Sequence, residues 1–265
     1  MAIITLLTDF GTQDEYVGVL KGVISTINPT VTIIDVTHGI APQNVVTAAY
    51  TLKAAYPFFP LRTIHLAVVD PGVGTRRDIV AVRCGGHLFL APDNGLLAPI
   101  LAEHSPEAGY RVENENLFRH PVSRTFHGRD VFAPVAAHLS QGLPMKALGR
   151  PLDFDQLRLL HVREPRISIP GSLEGEVVSV DRFGNLITNI GNRHLSGLGP
   201  GKIDILLGDH TISGMVDSYA QGAPGELLAI IGGRDCLEIA VNGASAFKFL
   251  NLAHGEIVRV KAREK

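Results

Sequence analysis

Residues 3–37 read IITLLTDFGTQDEYVGVLKGVISTINPTVTIIDVT. An apolar run closes on Asp9. After a Gly-containing turn, apolar residues recur at Tyr16, Val19, Leu20, Val23, Ile24 and Ile27, the three-and-four spacing of a helix face. A second run over 31–37 is rich in β-branched residues and reads as another strand. Strand, helix, strand in that order, with strands apolar on both faces, predicts a mostly parallel sheet covered by helices on both sides.

The same alternation continues outward. Residues 44–56 read as a helix ending near Pro57, and 63–70, 79–84 and 87–93 read as strands. Residues 94–104 are helical in part, and 130–142 form a later helix with Gly142 near its end. After about Pro151 the character changes. Residues 163–172 are poor in helix formers and read as a connector, and beyond them short strands are separated by Gly and Asp turns. No helix of any length is expected there. The division is an α/β domain over 1–163 and an all-β, barrel-like or sandwich domain over 172–265.

Composition narrows the function classes. With 45% hydrophobic and 19% charged residues the 265-residue chain is globular rather than disordered. A net charge of −2 provides no overall attraction to nucleic acid or to an anionic membrane. The apolar N-terminus lacks a basic flank and meets Asp9 too soon for a signal peptide or a span. Cys84 and Cys236, the two cysteines, both sit in apolar strand-like runs. They are expected as buried thiols, and no disulfide framework is present, so a cytoplasmic setting is expected.

Acids gather where strands end. Asp9, Asp35, Asp70 and Asp93 stand at or near the ends of successive strands. Asp before Gly or Asn also makes turns. Four at equivalent positions would form a polar rim that holds a hydroxyl-rich ligand beyond the strands' carboxyl ends. In 66–78, LAVVDPGVGTRRD, a Pro-Gly-Val-Gly turn separates Asp70 from Arg76 and Arg77. In 124–134, RTFHGRDVFAP, His127 precedes a helix whose N-cap would be Asp130. In the second domain, 179–191 holds Asp181, Phe183, Asn185 and Asn189, and 231–246 holds Arg234, Glu238 and Asn242. An aromatic ring with amides suits a purine, and Asp with Arg suits an amino-acid head group. The sequence holds no P-loop, no G-x-G-x-x-G after the first strand, no G-x-S-x-G and no H-E-x-x-H. A metal site is not expected.

Six segments, in order, carry a resemblance: TDFGTQDEYVGVLKG, VVDPGVGTRR, APDNGLL, FHGRDVFAP, DRFGNLITNI and LEIAVNGASA. Together they resemble the S-adenosyl-L-methionine (SAM) hydroxide adenosyltransferase family. These adenosine-forming SAM hydrolases are similar in fold to the bacterial fluorinase and chlorinase. The resemblance implies that water or hydroxide attacks the 5′ carbon of SAM and expels methionine, with SAM as substrate and no cofactor. It also implies a homotrimer, with substrate between the first domain of one subunit and the second domain of its neighbour. Asp70, Arg77 and His127 match the family's catalytic trio, with Arg76 as the alternative arginine. Asp9 matches the ribose-binding aspartate, Asp181 and Arg234 match methionine contacts, and Asn185 matches a position near the adenine. Phe126, Gly128, Phe183, Asn242 and Gly243 complete the implied substrate contacts. Gly233 stands where halogenating relatives carry serine. The resemblance places tyrosine in the fluorinase where this chain has Asp70 and His127, and an extra loop in its first domain. Two other readings are a non-catalytic SAM or adenosine sensor and a SAM-dependent halogenase. Whether Asp70 or His127 would take the water's proton stays open from sequence.

Overall fold

The computed structural model describes residues 2–198, 202–252 and 255–263. The chain divides into two compact units, Met1–Leu160 and His161–Lys265.

The first unit begins as the sequence predicts, with β1 (Ile3–Thr8), α1 (Tyr16–Ile27), β2 (Thr32–Thr37), α2 (Val45–Ala55) and β3 (Ile64–Val68). The Asn44 side chain caps α2 by accepting the Thr47 N–H at 2.9 Å. Next come β4 (Ile79–Cys84), β5 (His87–Pro92), the single turn α3 (Ala98–Leu101), β6 (Pro106–Arg111) and α4 (Ala133–Ser140). The sheet order is β2-β1-β3-β5-β4-β6. β2, β1, β3 and β5 run parallel, whereas β4 is antiparallel to both neighbours. The reversal has a local cause. Gly85 and Gly86 join β4 to β5 with φ of 56° and 77°, the paired positive values of a type I′ hairpin.

Alternation along the strands explains the two helical layers. Ile4, Leu6, Leu66 and Val68 pack with Leu20 and Ile24 of α1 and Val135 of α4. Leu7, Ala67 and Val69 point the other way, toward Ala48 and Leu52 of α2 and Ile100 of α3. β2 lies on one side of β1 and β3 on the other. The chain therefore switches direction at β1, which opens a crevice beyond the carboxyl ends of β1 and β3.

The second unit pairs all of its named strands antiparallel. It comprises β7 (Arg166–Ile169), β8 (Ser172–Val180), β9 (Leu186–Gly191), α5 (Asn192–Ser196), β10 (Ile203–Leu207), β11 (His210–Ser213), β12 (Leu227–Ile231), β13 (Cys236–Val241), α6 (Ala246–Leu250) and β14 (Ile257–Ala262). The strand path is β11-β10-β14-β8-β9-β13-β12, with β7 on β8. Just after β11, the Val216 N–H donates to the Ala229 carbonyl of β12 at 2.9 Å, so the two ends of the path meet as in a barrel. One core, including Val177, Ile190, Ile205, Leu237, Ile239 and Val260, fills it. α5 and α6 depart from the helix-free expectation; each has five residues. Cys84 is buried as expected, but Cys236, opening β13, is only half-buried.

Candidate active site

Asp70 follows β3 by two residues, and a tight turn returns the chain. The Val73 N–H donates to the Asp70 carbonyl at 3.2 Å, and the Thr75 N–H to that of Gly72 at 3.1 Å. This brings Arg77 back onto Asp70. Arg77 Nε donates to Asp70 Oδ1 at 3.1 Å and Oδ2 at 2.9 Å, and Nη2 donates to Oδ2 at 2.5 Å. The same Nη2 lies 2.9 Å from His127 Nδ1. A guanidinium only donates, so Nδ1 accepts and the neutral ring carries its proton on Nε2. Burial and the Arg77 guanidinium lower the His127 pKa from its ordinary value, which keeps it neutral. The Arg77 and Asp70 side chains are only 7% and 5% exposed, so the ion pair is largely withdrawn from water. Arg76 is exposed, and Arg77 makes these contacts.

The turn glycines have structural reasons. Gly74 has φ +76°, and a Cβ there would lie 2.3 Å from the Arg124 carbonyl. A Cβ on Gly72 would sit 3.2 Å from Arg77 Cγ. Both glycines therefore let the Asp70 turn close against the His127 loop and its own arginine. Asp130 also departs from its expected N-cap role. It lies in a five-residue π turn, Gly128–Phe132, that leads into α4, and its side chain is fully buried. Its carboxylate accepts Arg129 Nε at 2.7 Å, Arg119 Nη1 at 3.2 Å and the Ser123 N–H at 2.8 Å. This buried junction braces the loop that presents His127.

A cavity of about 630 Å³ borders Asp70 and His127 of this trio. Asp9, Asp70, Phe126, His127 and Gly128 line it, together with Phe10, Tyr16 and Gln43, which sequence reasoning did not assign to a site. Phe10, Tyr16 and Phe126 meet edge to face, with centroids 5.1–6.0 Å apart. A Cβ on Gly128 would come within 3.3 Å of the Phe10 and Phe126 rings. Asp9 Oδ2 accepts the Gln43 N–H at 2.7 Å, and Gln43 holds φ +65° to supply it. Strained backbone of this kind collects at ligand sites. Of the expected acidic rim only Asp9 and Asp70 reach the cavity. Asp35 pairs with Lys21 at 2.6 Å, and Asp93 accepts the Arg158 N–H at 3.0 Å.

The second unit holds its own cavity, of about 770 Å³. Asp181, Phe183, Asn185, Gly233, Arg234 and Gly243 line it. Asp181 Oδ1 accepts the N–H groups of Phe183 and Asn185, each at 2.9 Å, which shapes the turn. Phe183 is 79% exposed, leaving its ring face open to a planar ligand. Tyr219 and Glu238 also line this cavity; nothing in the sequence around Tyr219 marks it. The Tyr219 hydroxyl donates to Glu238 Oε2 at 2.9 Å. Burial pushes the Glu238 carboxyl up and the Tyr219 hydroxyl to about 12. Asn242 stands apart, donating to the Gly222 carbonyl at 2.8 Å. Asn189 likewise spends its side chain on Arg163 and Glu176 backbone. Among the described residues no cluster of three or more His, Cys, Asp or Glu could hold a metal, and no helix is long and apolar enough to cross a membrane.

Two family models match: the SAM hydroxide adenosyltransferase N-terminal domain over residues 4–149 and the SAM hydroxide adenosyltransferase C-terminal domain over 175–259. This chain belongs to the SAM hydroxide adenosyltransferase family. It is 37% identical over 260 residues to an (R)-S-adenosyl-L-methionine hydrolase of Salinispora tropica, covering 98% of this chain and 97% of that protein. The crystal structure of an uncharacterized conserved protein from Thermotoga maritima superposes with a TM-score of 0.90 at 38% identity, covering 97% of this chain and 99% of that one. A fluorinase of Actinopolyspora mzabensis is more distant, at 30% identity, covering 97% of this chain and 96% of its own. That alignment runs over 288 positions, more than the 265 residues of this family member, so the fluorinase carries inserted segments that it lacks.

Proposed function

We propose that this chain hydrolyses SAM to adenosine and L-methionine by attack of water at the 5′ carbon. The observation that carries this reading is the bridge made by Arg77 between Asp70 and His127, two residues on the wall of a cavity that also holds Asp9. The likeness to relatives named (R)-S-adenosyl-L-methionine hydrolase supports it and marks the (R) sulfonium as the expected form.

The chemistry suits these residues. Sulfur departs as a neutral thioether and takes the C5′–S bonding pair with it, so no general acid is needed. The demands fall on the nucleophile, which must lie opposite the sulfur. Holding water there contributes up to about 7–11 kcal/mol in ideal cases. With Nδ1 occupied by Arg77, His127 presents Nε2–H and serves as donor to the water oxygen. Asp70 presents carboxylate oxygen and is the base that takes one water proton, a contribution of typically about 10²–10⁴-fold. The Arg77 guanidinium stabilises the developing hydroxide. Asp9 holds ribose hydroxyls. In the second unit, Asp181 and Arg234 answer the ammonium and carboxylate of methionine, Phe183 offers a stacking face, and Asn185 reads the purine edge.

The proposal includes a cytoplasmic homotrimer, in which the first-unit cavity of one subunit meets the second-unit cavity of a neighbour around a single SAM. It includes no cofactor. Incubating purified protein with SAM and separating the products by chromatography tests the activity. Adenosine with methionine in equal amounts is expected. Tight binding without turnover would replace the enzyme with a sensor, and 5′-halo-adenosine on adding halide would replace the hydrolase with a halogenase.

A further inference from the structure

A second cavity of the first unit, about 370 Å³, reaches the trio from another direction. Arg77, whose side chain is 7% exposed, and His127 line it, as do the exposed Glu115 and His120. Its apolar lining comes from Ile79, Val112, Phe118, Val122 and Val131. Asp78, a further polar group there, is engaged by Arg111 Nη1 at 3.2 Å. The trio thus forms a partition. Asp70 faces the larger cavity, Arg77 faces the smaller one, and His127 lines both.

Hydrolysis makes a demand that a filled substrate site does not meet. A sulfonium cation and water become neutral adenosine, zwitterionic methionine and one proton, which Asp70 takes. Each turnover therefore consumes a water that has to be replaced. SAM in the larger cavity would cover the face presented by Asp9 and Asp70.

We infer that the smaller cavity is a service duct for the reaction, through which water reaches Arg77 and His127 while substrate fills the larger cavity. Apolar walls hold passing water weakly, while His127 is the one residue that lines both spaces. Val122 and Phe118 are positioning residues, since they keep the passage open and touch no substrate. The inference rests on the hydrolase reading, and the two fail differently.

Val122→Phe plugs the duct from one wall, and Phe118→Trp plugs it from another should the first variant fold poorly. The expected result in either folded variant is a kcat lowered about tenfold or more, with KM for SAM within about twofold of wild type. The solvent deuterium isotope effect on kcat should fall, because water arrival rather than proton transfer becomes limiting. Val122→Ala, which widens the passage, should retain wild-type kcat. Folded plug variants with wild-type kcat and an unchanged isotope effect would overturn the duct. So would a kcat loss matched by equal loss of SAM affinity, which marks a displaced trio. A wild-type protein that releases no adenosine from SAM instead overturns the hydrolase reading itself.

Discussion

The two larger cavities are built in opposite ways. In the first unit the reactive groups are committed to one another before any ligand arrives. Arg77 is pinned to Asp70 through both oxygens, His127 is pinned to Arg77, and Asp130 is buried behind the loop. In the second unit Asp181 is held to Asn185 and Tyr219 to Glu238, but other groups are left available. Phe183 is largely exposed, Arg234 has only a 3.4 Å contact to Ser179 Oγ, and Gly233 and Gly243 have open space where a Cβ would lie. The difference teaches a division of labour. A site that must hold water against a carbon needs fixed geometry, whereas a site that must admit and release a zwitterion needs free hydrogen-bonding groups.

Replacing each side's central charge gives the sharpest contrast. Asp70→Ala should lower kcat at least roughly 10²-fold while largely keeping SAM affinity, read from steady-state kinetics beside a binding isotherm. Equal loss of both would assign Asp70 to binding. Arg234→Ala should do the reverse, raising KM for SAM about 10–100-fold, the cost of one charge-assisted hydrogen bond, with a smaller change in kcat. If kcat fell instead, the two cavities would share the chemistry.

Much of this was legible in the sequence for a physical reason. β1, α1, β2, α2 and β3 announce themselves because their apolar periods are set by burial on both sheet faces. Asp9, Asp70 and His127 were legible because strand ends and the approach to α4 are where an α/β sheet exposes polar groups. Other features carried no such signal. β6, PEAGYR, is an edge strand with Pro and Gly and no apolar alternation. β7 is exposed along its whole length, so no core pressure marked its residues. Asp35 and Asp93 sit in the right places, yet local partners consume them, and only coordinates show a partner. Tyr219 lies in a Gly/Ala/Ser stretch with no periodicity, so its placement over the second cavity comes from tertiary structure alone.

Two smaller effects refine the contrast. Gly74→Ala should destabilise the protein by about 1–3 kcal/mol in a denaturant titration, from the positive φ and the clash with the Arg124 carbonyl. It should also lower kcat more than it raises KM, because it pries the Asp70 turn from the His127 loop. An equivalent change at Gly243, which has open space around it, should leave kcat alone while straining the second cavity's turn. The pH profile gives the mildest signature. The His127 pKa is lowered, first by burial and then by Arg77. Its neutral form, needed to accept from Arg77, is therefore kept below the ordinary histidine value of about 6.5 and lost only at more acid pH. The acid limb of kcat/KM should lie below that value, and a midpoint above it would contradict the arrangement.

The central claim is that water, poised by Asp70, Arg77 and His127, attacks C5′ of SAM. Turnover in ¹⁸O-labelled water followed by mass spectrometry of the products tests it directly. The label should appear in adenosine, at the 5′ oxygen, and not in methionine. Adenosine without label, label carried by the amino-acid product, or 5′-methylthioadenosine in place of adenosine would contradict it.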